Sequence, residues 1–198
     1  MNNTSKTRYI VCIAMLGALA GMLLYIKFPV PFAPSFYKLE ISDVAALIGG
    51  FAFGPLAATL ICLVKNLINL ITEGTTTAFI GEISNFIMSV SFCVVAALVY
   101  KNNHTKKGAL KALAIGTISL CLVSAVVNYY VVIPAFVKFM NFPLEAIIGM
   151  GTAIFPFINS LFSLVVFCAI PFNFVKGVLT SLITYIVYKR ISPLLKGK

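Results

Sequence analysis

Polar side chains recur at helical spacing inside otherwise apolar runs of this sequence. Asn173, Lys176, Gly177, Thr180 and Thr184 follow one another at three or four residues and so share one helical stripe. Glu82, Asn85 and Ser89 repeat the pattern, and Lys65, Asn66 and Asn69 form a third patch. Asn128 and Asn141 add two further amides. Such groups suit an uncharged or weakly charged planar ligand: Asn and Lys would read ring carbonyls and nitrogens while Phe, Leu and Met cover the faces. Burying about 200 Å² of ring contributes about 5 kcal/mol, and buried hydrogen bonds add the rest and the selectivity. A structural alternative stands beside each patch. Lys176 is either a group facing a polar cavity or anionic partner, or a snorkelling or internally paired lysine. Lys65 is either a ligand contact or the partner of an acid inside a bundle, and with Glu82 it could form an ion or proton relay.

Reaction chemistry finds no support. There is no G-x-x-x-x-G-K-[ST], no H-E-x-x-H, no G-x-S-x-G and no acid–base pair beside a nucleophile. The cysteines (Cys12, Cys62, Cys93, Cys121, Cys168) are scattered in apolar runs without a C-x-x-C, and His104 is the single histidine, so no zinc site or other metal site is expected from them. No enzyme activity and no cofactor are expected.

The elements that position these residues are membrane helices. Of 198 residues, 61% are apolar and 10% charged, with mean hydropathy +1.04. Soluble domains carry about 25% charged residues, so a soluble globule, disorder and a coiled coil are all excluded. A crossing needs about 20 apolar residues, so six crossings use up the length in a single integral-membrane domain over residues 1–198. The first helix is expected at Arg8–Phe28, retained rather than cleaved as a signal, followed by a proline-stiffened aromatic loop from Pro29 to Lys38. A short second helix spans Asp43–Phe53, N-capped by Ser42 and bent or broken at Gly49, Gly50 and Gly54-Pro55. The third covers Pro55–Ile71, the fourth Ala78–Tyr100, the fifth Ala109–Val132 up to Pro134. A loop at Lys138–Thr152 holds a short helix at Leu144–Ile148, and the sixth helix covers Phe155–Arg190, divided by Pro156 and Pro171.

Net charge is +10, and ten of the fifteen cations fall in three places: Lys6 and Arg8; Lys101, Lys106, Lys107 and Lys111; Lys189, Arg190, Lys196 and Lys198. Cations between apolar runs point to membrane topology, not to nucleic acid. With those three places cytoplasmic, both termini lie inside a prokaryotic plasma membrane, and the sequons at Asn2 and Asn103 fall on that inner side. The polar stripes then converge on the outer half, where an extracellular ligand cavity is expected. On the first helix, Ala14, Gly17, Ala18 and Gly21 form a narrow small-residue face. Such a face lets helices approach closely in lipid; packing within the chain and docking of a membrane partner both fit it.

Several stretches resemble the riboflavin-specific substrate-binding subunits (S components) of energy-coupling factor transporters: Phe36-Tyr-Lys-Leu-Glu-Ile-Ser-Asp43 through Gly54-Pro55, Lys65-Asn66, Gly74-Thr75, Gly81-Glu82 through Asn85-Phe86, and Pro171-Phe-Asn173-Phe-Val-Lys176-Gly177. The glycine-rich run marks the superfamily, and Pro-Phe-Asn-x-x-Lys-Gly is the more riboflavin-like element. The resemblance covers nearly the whole chain. It implies a six-helix, all-α membrane protein that binds riboflavin from outside as its transported ligand. It implies partners too: a transmembrane coupling protein and two cytosolic ATPase subunits. It implies that an A-x-x-x-A motif, matched by Ala14 and Ala18, docks the coupling protein. By match, Asn173 and Lys176 lead the ligand set, with Leu39 and Glu40 in the first loop; Glu40 stands where the family more readily carries Asp. Glu82 and Asn85 fall in a matching motif, and Asn128 and Asn141 join through their outer-half positions. This reading requires Asn173 and Lys176 to face an outward crevice. An S component for another vitamin-like solute, or a stand-alone ion-coupled transporter, are the alternatives.

Overall fold

The computed structural model describes residues 3–196, with side chains for residues 6–188. The sequon at Asn2 and the cation Lys198 lie outside the described residues, as do the side chains of Lys189, Arg190 and Lys196. Helix α1 (Asn3–Leu23) leads into a two-stranded hairpin, β1 (Phe28–Pro29) antiparallel to β2 (Lys38–Leu39). Then follow α2 (Asp43–Phe53), α3 (Pro55–Glu73), α4 (Ile80–Lys101), α5 (Lys106–Met140), α6 (Leu144–Thr152) and α7, which starts at Leu161 and runs to Lys196.

Five helices are long and apolar enough to cross a membrane: α1, α3, α4, α5 and α7. The sixth expected crossing is α2, whose 11 residues extend about 16 Å. It lies inside the bundle against α1, α3, α4 and α7, with Asp43 through Phe51 all buried. Of the glycines expected to break or bend it, Gly49 and Gly50 lie within the continuous helix and the break falls at Gly54-Pro55. The two within it let it pack: a Cβ on Gly49 would fall 2.1 Å from Ile61 Cδ1. The turn to α3 is made at Gly54, whose φ of 95° suits glycine, with Pro55 in the first turn of α3. Ser42 does not cap α2, since its backbone is already helical and its side chain bonds elsewhere.

Pro134 and Pro171 were expected to end or divide helices, yet α5 and α7 run through them. Each proline sits two residues beyond a π turn, Asn128–Val132 in α5 and Val165–Ala169 in α7. Proline removes one N–H and crowds the carbonyl four residues back, and a wider turn absorbs both effects. The start of α7 falls at Leu161 rather than Phe155, because Ser160 and Ser163 form a reciprocal capping box there.

Aromatic contacts fix which ends of the helices lie together. Tyr9 of α1 meets Phe53, Phe51 stacks on Tyr100, and the Tyr188 hydroxyl donates to the Phe51 carbonyl at 3.2 Å. The start of α1, the end of α2, the α4–α5 loop and the C-terminal part of α7 therefore share one end. The hairpin and α6 occupy the other. One apolar core surrounds α2 through Leu47, Ile61, Phe92 and Leu113. A second, with Tyr37, Leu39, Ile133 and Phe172, lies beneath the hairpin.

The small-residue face of α1 divides. A Cβ at Gly17 would fall 2.5 Å from Val64 Cγ1, and one at Gly21 would fall 2.9 Å from Ile68 Cγ2, so both glycines pack against α3. Ala14 is exposed and Ala18 half-buried on the outer edge of the same face.

Candidate solute-binding site

Lys65, the largest fully buried side chain, reaches from α3 to the start of α2. Its ammonium pairs with Asp43 Oδ1 and donates to Ser42 Oγ and Ser89 Oγ, each at 2.8 Å. Lys176 of α7 arrives from the opposite side, 2.6 Å from Glu40 Oε1 and 3.2 Å from Asp43 Oδ2. Glu40 Oε2 accepts from the Ser42 N–H at 2.6 Å, immediately before α2. Two acids and two lysines thus cancel in a buried quartet, with the unpaired charge that would be costly in hydrocarbon avoided.

Beside this quartet, toward the hairpin end, lies a cavity of about 520 Å³. Its walls differ in chemistry. Asn66, Asn69 and Glu73 of α3, with Thr76, Thr77, Glu82 and Asn85 around the start of α4, form a polar wall. Ile133, Phe136 and Met140 of α5, with Phe142, Ile147 and Met150, form an apolar one. Lys27, Phe36, Lys38 and Glu40 line the hairpin side. Lys27 pairs with Glu73 at the rim. Thr75 and Thr77 hydroxyls donate to Glu82 Oε2 at 3.2 and 3.0 Å. Ala78 and Phe79, both with positive φ, turn the chain into α4 there.

Of the expected ligand residues, Glu40, Glu82 and Asn85 line this cavity; Asn173, Lys176, Asn128, Leu39 and Asn141 do not. Asn173 is buried and donates to the Ala169 carbonyl one turn back. Lys176 is held by the two carboxylates, the internally paired alternative, so neither it nor Asn173 meets the requirement of facing an outward crevice, and the ligand reading passes to the residues that line the cavity. Asn128 accepts from the Tyr37 hydroxyl at 2.8 Å and donates to the Ser124 carbonyl. Leu39 packs in the core beneath the hairpin. Asn141 ends α5 in the left-handed conformation that asparagine tolerates, with its side chain exposed. Asn66 and Asn69 stood out by spacing and do reach the cavity. Phe36 and Lys38 were read only as part of an aromatic loop, and the pairing of Asp43 with a lysine 22 residues away left no local mark.

Asp43, Cys62 and Cys93 bring potential ligand atoms within 4.8 Å of one another, a cluster the scattered cysteines did not suggest. Both Asp43 oxygens already face ammonium groups, which disfavours a further cation beside them.

A family model described as ECF transporter, substrate-specific component, matches residues 8–188. The chain is 34% identical to the riboflavin transporter RibU of Staphylococcus aureus (strain TCH60), over 98% of this chain and 95% of that one. It is 28% identical to the riboflavin transporter FmnP of Bacillus subtilis (strain 168), over 95% and 94%. A solved S component of a bacterial ECF transporter superposes with a TM-score of 0.76 at 32% identity, covering 96% of this chain and 99% of that one.

Proposed function

The chain belongs to the substrate-specific components of ECF transporters, and from that premise we propose that it captures riboflavin outside the cell and passes it to an energy-coupling module. It is a transport component and not an enzyme. The observation that carries the ligand reading is the two-sided cavity in a chain similar to riboflavin transporters: one wall to cover a flat ring, the other to satisfy polar groups.

Within this reading Glu40, Glu82 and Asn85 touch the ligand, and the remaining expected residues act from behind the wall. Lys176 holds Glu40; Asn128 holds Tyr37 beside Phe36; Asn173 secures α7 after its π turn; Leu39 anchors the hairpin; Asn141 ends α5 so that Phe142 joins the apolar wall. The membrane carries six passes, because the buried approach through Tyr37, Leu39, Glu40 and Ser42 brings the chain into the bundle before α2 starts. Lys6, Arg8, Lys101, Lys106 and Lys107 lie at the end away from the cavity, so that end is cytoplasmic and the cavity opens outward. With no phosphate-binding loop of its own, the chain depends on a coupling protein, docked on α1 at Ala14 and Ala18, and on two cytosolic ATPases. Neutralisation of Lys65 and Lys176 within the quartet leaves an ion-coupled transporter without its expected relay.

Purified in detergent, the protein is expected to quench riboflavin fluorescence on titration and to carry a yellow ligand from cells. Absence of binding at micromolar riboflavin rejects the assignment.

A further inference from the structure

Lys101, Lys106, Lys107 and Lys111 are exposed around the α4–α5 loop, and none of them forms an ion pair among the described residues. The sequence carries no acid between Glu82 and Glu145, and the first turn of α5 holds none. A helix start disfavours cations, so the chain itself does not offset this charge. The loop is tied down all the same. Thr105 Oγ1 accepts from the Gly108 N–H at 3.0 Å, and the Tyr100 hydroxyl donates to the His104 carbonyl at 3.4 Å. The four lysines therefore project from a fixed turn and the helix it starts.

What continues along α5 from these cations tells what meets them. Lys107, Lys111, Ala114, Ile118 and Leu122 follow at three or four residues and share one stripe, and all five are exposed. A bare apolar track thus begins where the ammonium groups end. From Lys111 to Leu122 it extends about 16 Å, half of a hydrocarbon core of about 30 Å. That is the reach of one acyl chain from headgroup to midplane. Topology alone asks only for positive charge near the loop. It does not ask for two cations in register with such a track.

We propose that this face of α4 and α5 binds an anionic phospholipid of the leaflet at the basic end. Its phosphate meets Lys107 and Lys111, with Lys101 and Lys106 beside them, and one chain lies along Ala114, Ile118 and Leu122. Juxtamembrane lysine clusters attract anionic lipids in this way. The contact is separate from riboflavin capture. It is also separate from the exposed edge of α1, since α1 packs on α2 and α3 while α5 packs on α4 and α7. The lipid holds one flank of the bundle at the membrane surface and leaves the α1 flank free.

The full-length protein in detergent micelles is mixed with phosphatidylglycerol, or with phosphatidylcholine of the same acyl chains, and its thermal unfolding is followed. Phosphatidylglycerol is expected to raise the midpoint several degrees above the phosphatidylcholine value. About 1 M salt, which screens charges beyond about 3 Å, should abolish the difference. The double variant Lys107→Gln/Lys111→Gln should lose the difference, whereas Lys6→Gln, in another basic segment, should keep it. Equal midpoints in phosphatidylcholine certify the fold of each variant. Equal stabilisation by both lipids, or a difference that survives salt or the double variant, overturns the site. An equal rise with inorganic phosphate overturns it in favour of a free-anion site. No effect of phosphatidylglycerol overturns it and leaves the cations to an acidic protein partner or to topology alone. Should the double variant not fold, Lys111→Gln alone decides, with about half the difference expected to remain.

Discussion

Glu40 belongs to two assemblies at once. One carboxylate oxygen meets Lys176 and the other accepts from the Ser42 N–H just ahead of α2, and the residue also lines the cavity. A ligand that touches Glu40 therefore touches the charge balance of the core and the start of α2. Removing one member of a buried ion pair leaves its partner uncompensated, which costs about 3–5 kcal/mol. Lys176→Met is accordingly expected to lower the thermal unfolding midpoint in detergent sharply. Adding Glu40→Gln to it should recover much of the loss, because the remaining Asp43–Lys65 pair is neutral. A double variant no more stable than the single one shows that Lys176 acts by packing. This quartet also explains what the sequence concealed. The stripe carrying Asn173 and Lys176 was legible from spacing, but spacing gives the face of a helix and not its neighbour. The counter-ions come from residues more than 130 positions earlier in the chain, a separation over which no local pattern survives.

At the scale of elements, apolar runs located all five long helices, since lipid imposes both length and hydropathy on a crossing. Their boundaries failed where chemistry competed with the usual helix rules. Pro134 read as an end and Pro171 as a division of its helix, yet π turns just before them carry the helices on. Gly49 and Gly50 read as breaks, yet they are points of close contact. The small-residue face of α1 was equally ambiguous; its glycines take the packing role, and the docking role is left to the proposal for its alanines. Gly17 packs on Val64 of α3, whereas Ala14 is exposed. Gly17→Leu overpacks that contact, at a cost of about 1–3 kcal/mol, and is expected to lower the unfolding midpoint by several degrees. Ala14→Leu should leave both the midpoint and riboflavin quenching unchanged but abolish uptake driven by the complete transporter. Uptake that survives Ala14→Leu removes that edge of α1 from the docking surface.

For the whole molecule, helix length places the cavity relative to the membrane. Helix α5 has 35 residues and extends about 52 Å, well beyond a hydrocarbon core of about 30 Å. With the basic end cytoplasmic, as proposed, the first 20 or so residues from Lys106 suffice to cross the core, which would put the last turns, with Phe136 and Met140, at or above the far interface. On the proposed topology the apolar wall of the cavity is raised to where a water-borne solute can reach it, with the buried quartet beneath it. A cysteine-free background tests this arrangement. Thr76, exposed at the cavity, and Lys107, exposed in the basic segment, are each replaced by cysteine in turn. In intact cells a membrane-impermeant maleimide should label Thr76→Cys at once and Lys107→Cys only after permeabilisation. Added riboflavin should slow labelling of Thr76→Cys, which borders the cavity, and leave Lys107→Cys unaffected. The reverse order of accessibility inverts the protein in the membrane and turns the cavity toward the cytoplasm, in which case it cannot capture a nutrient from outside.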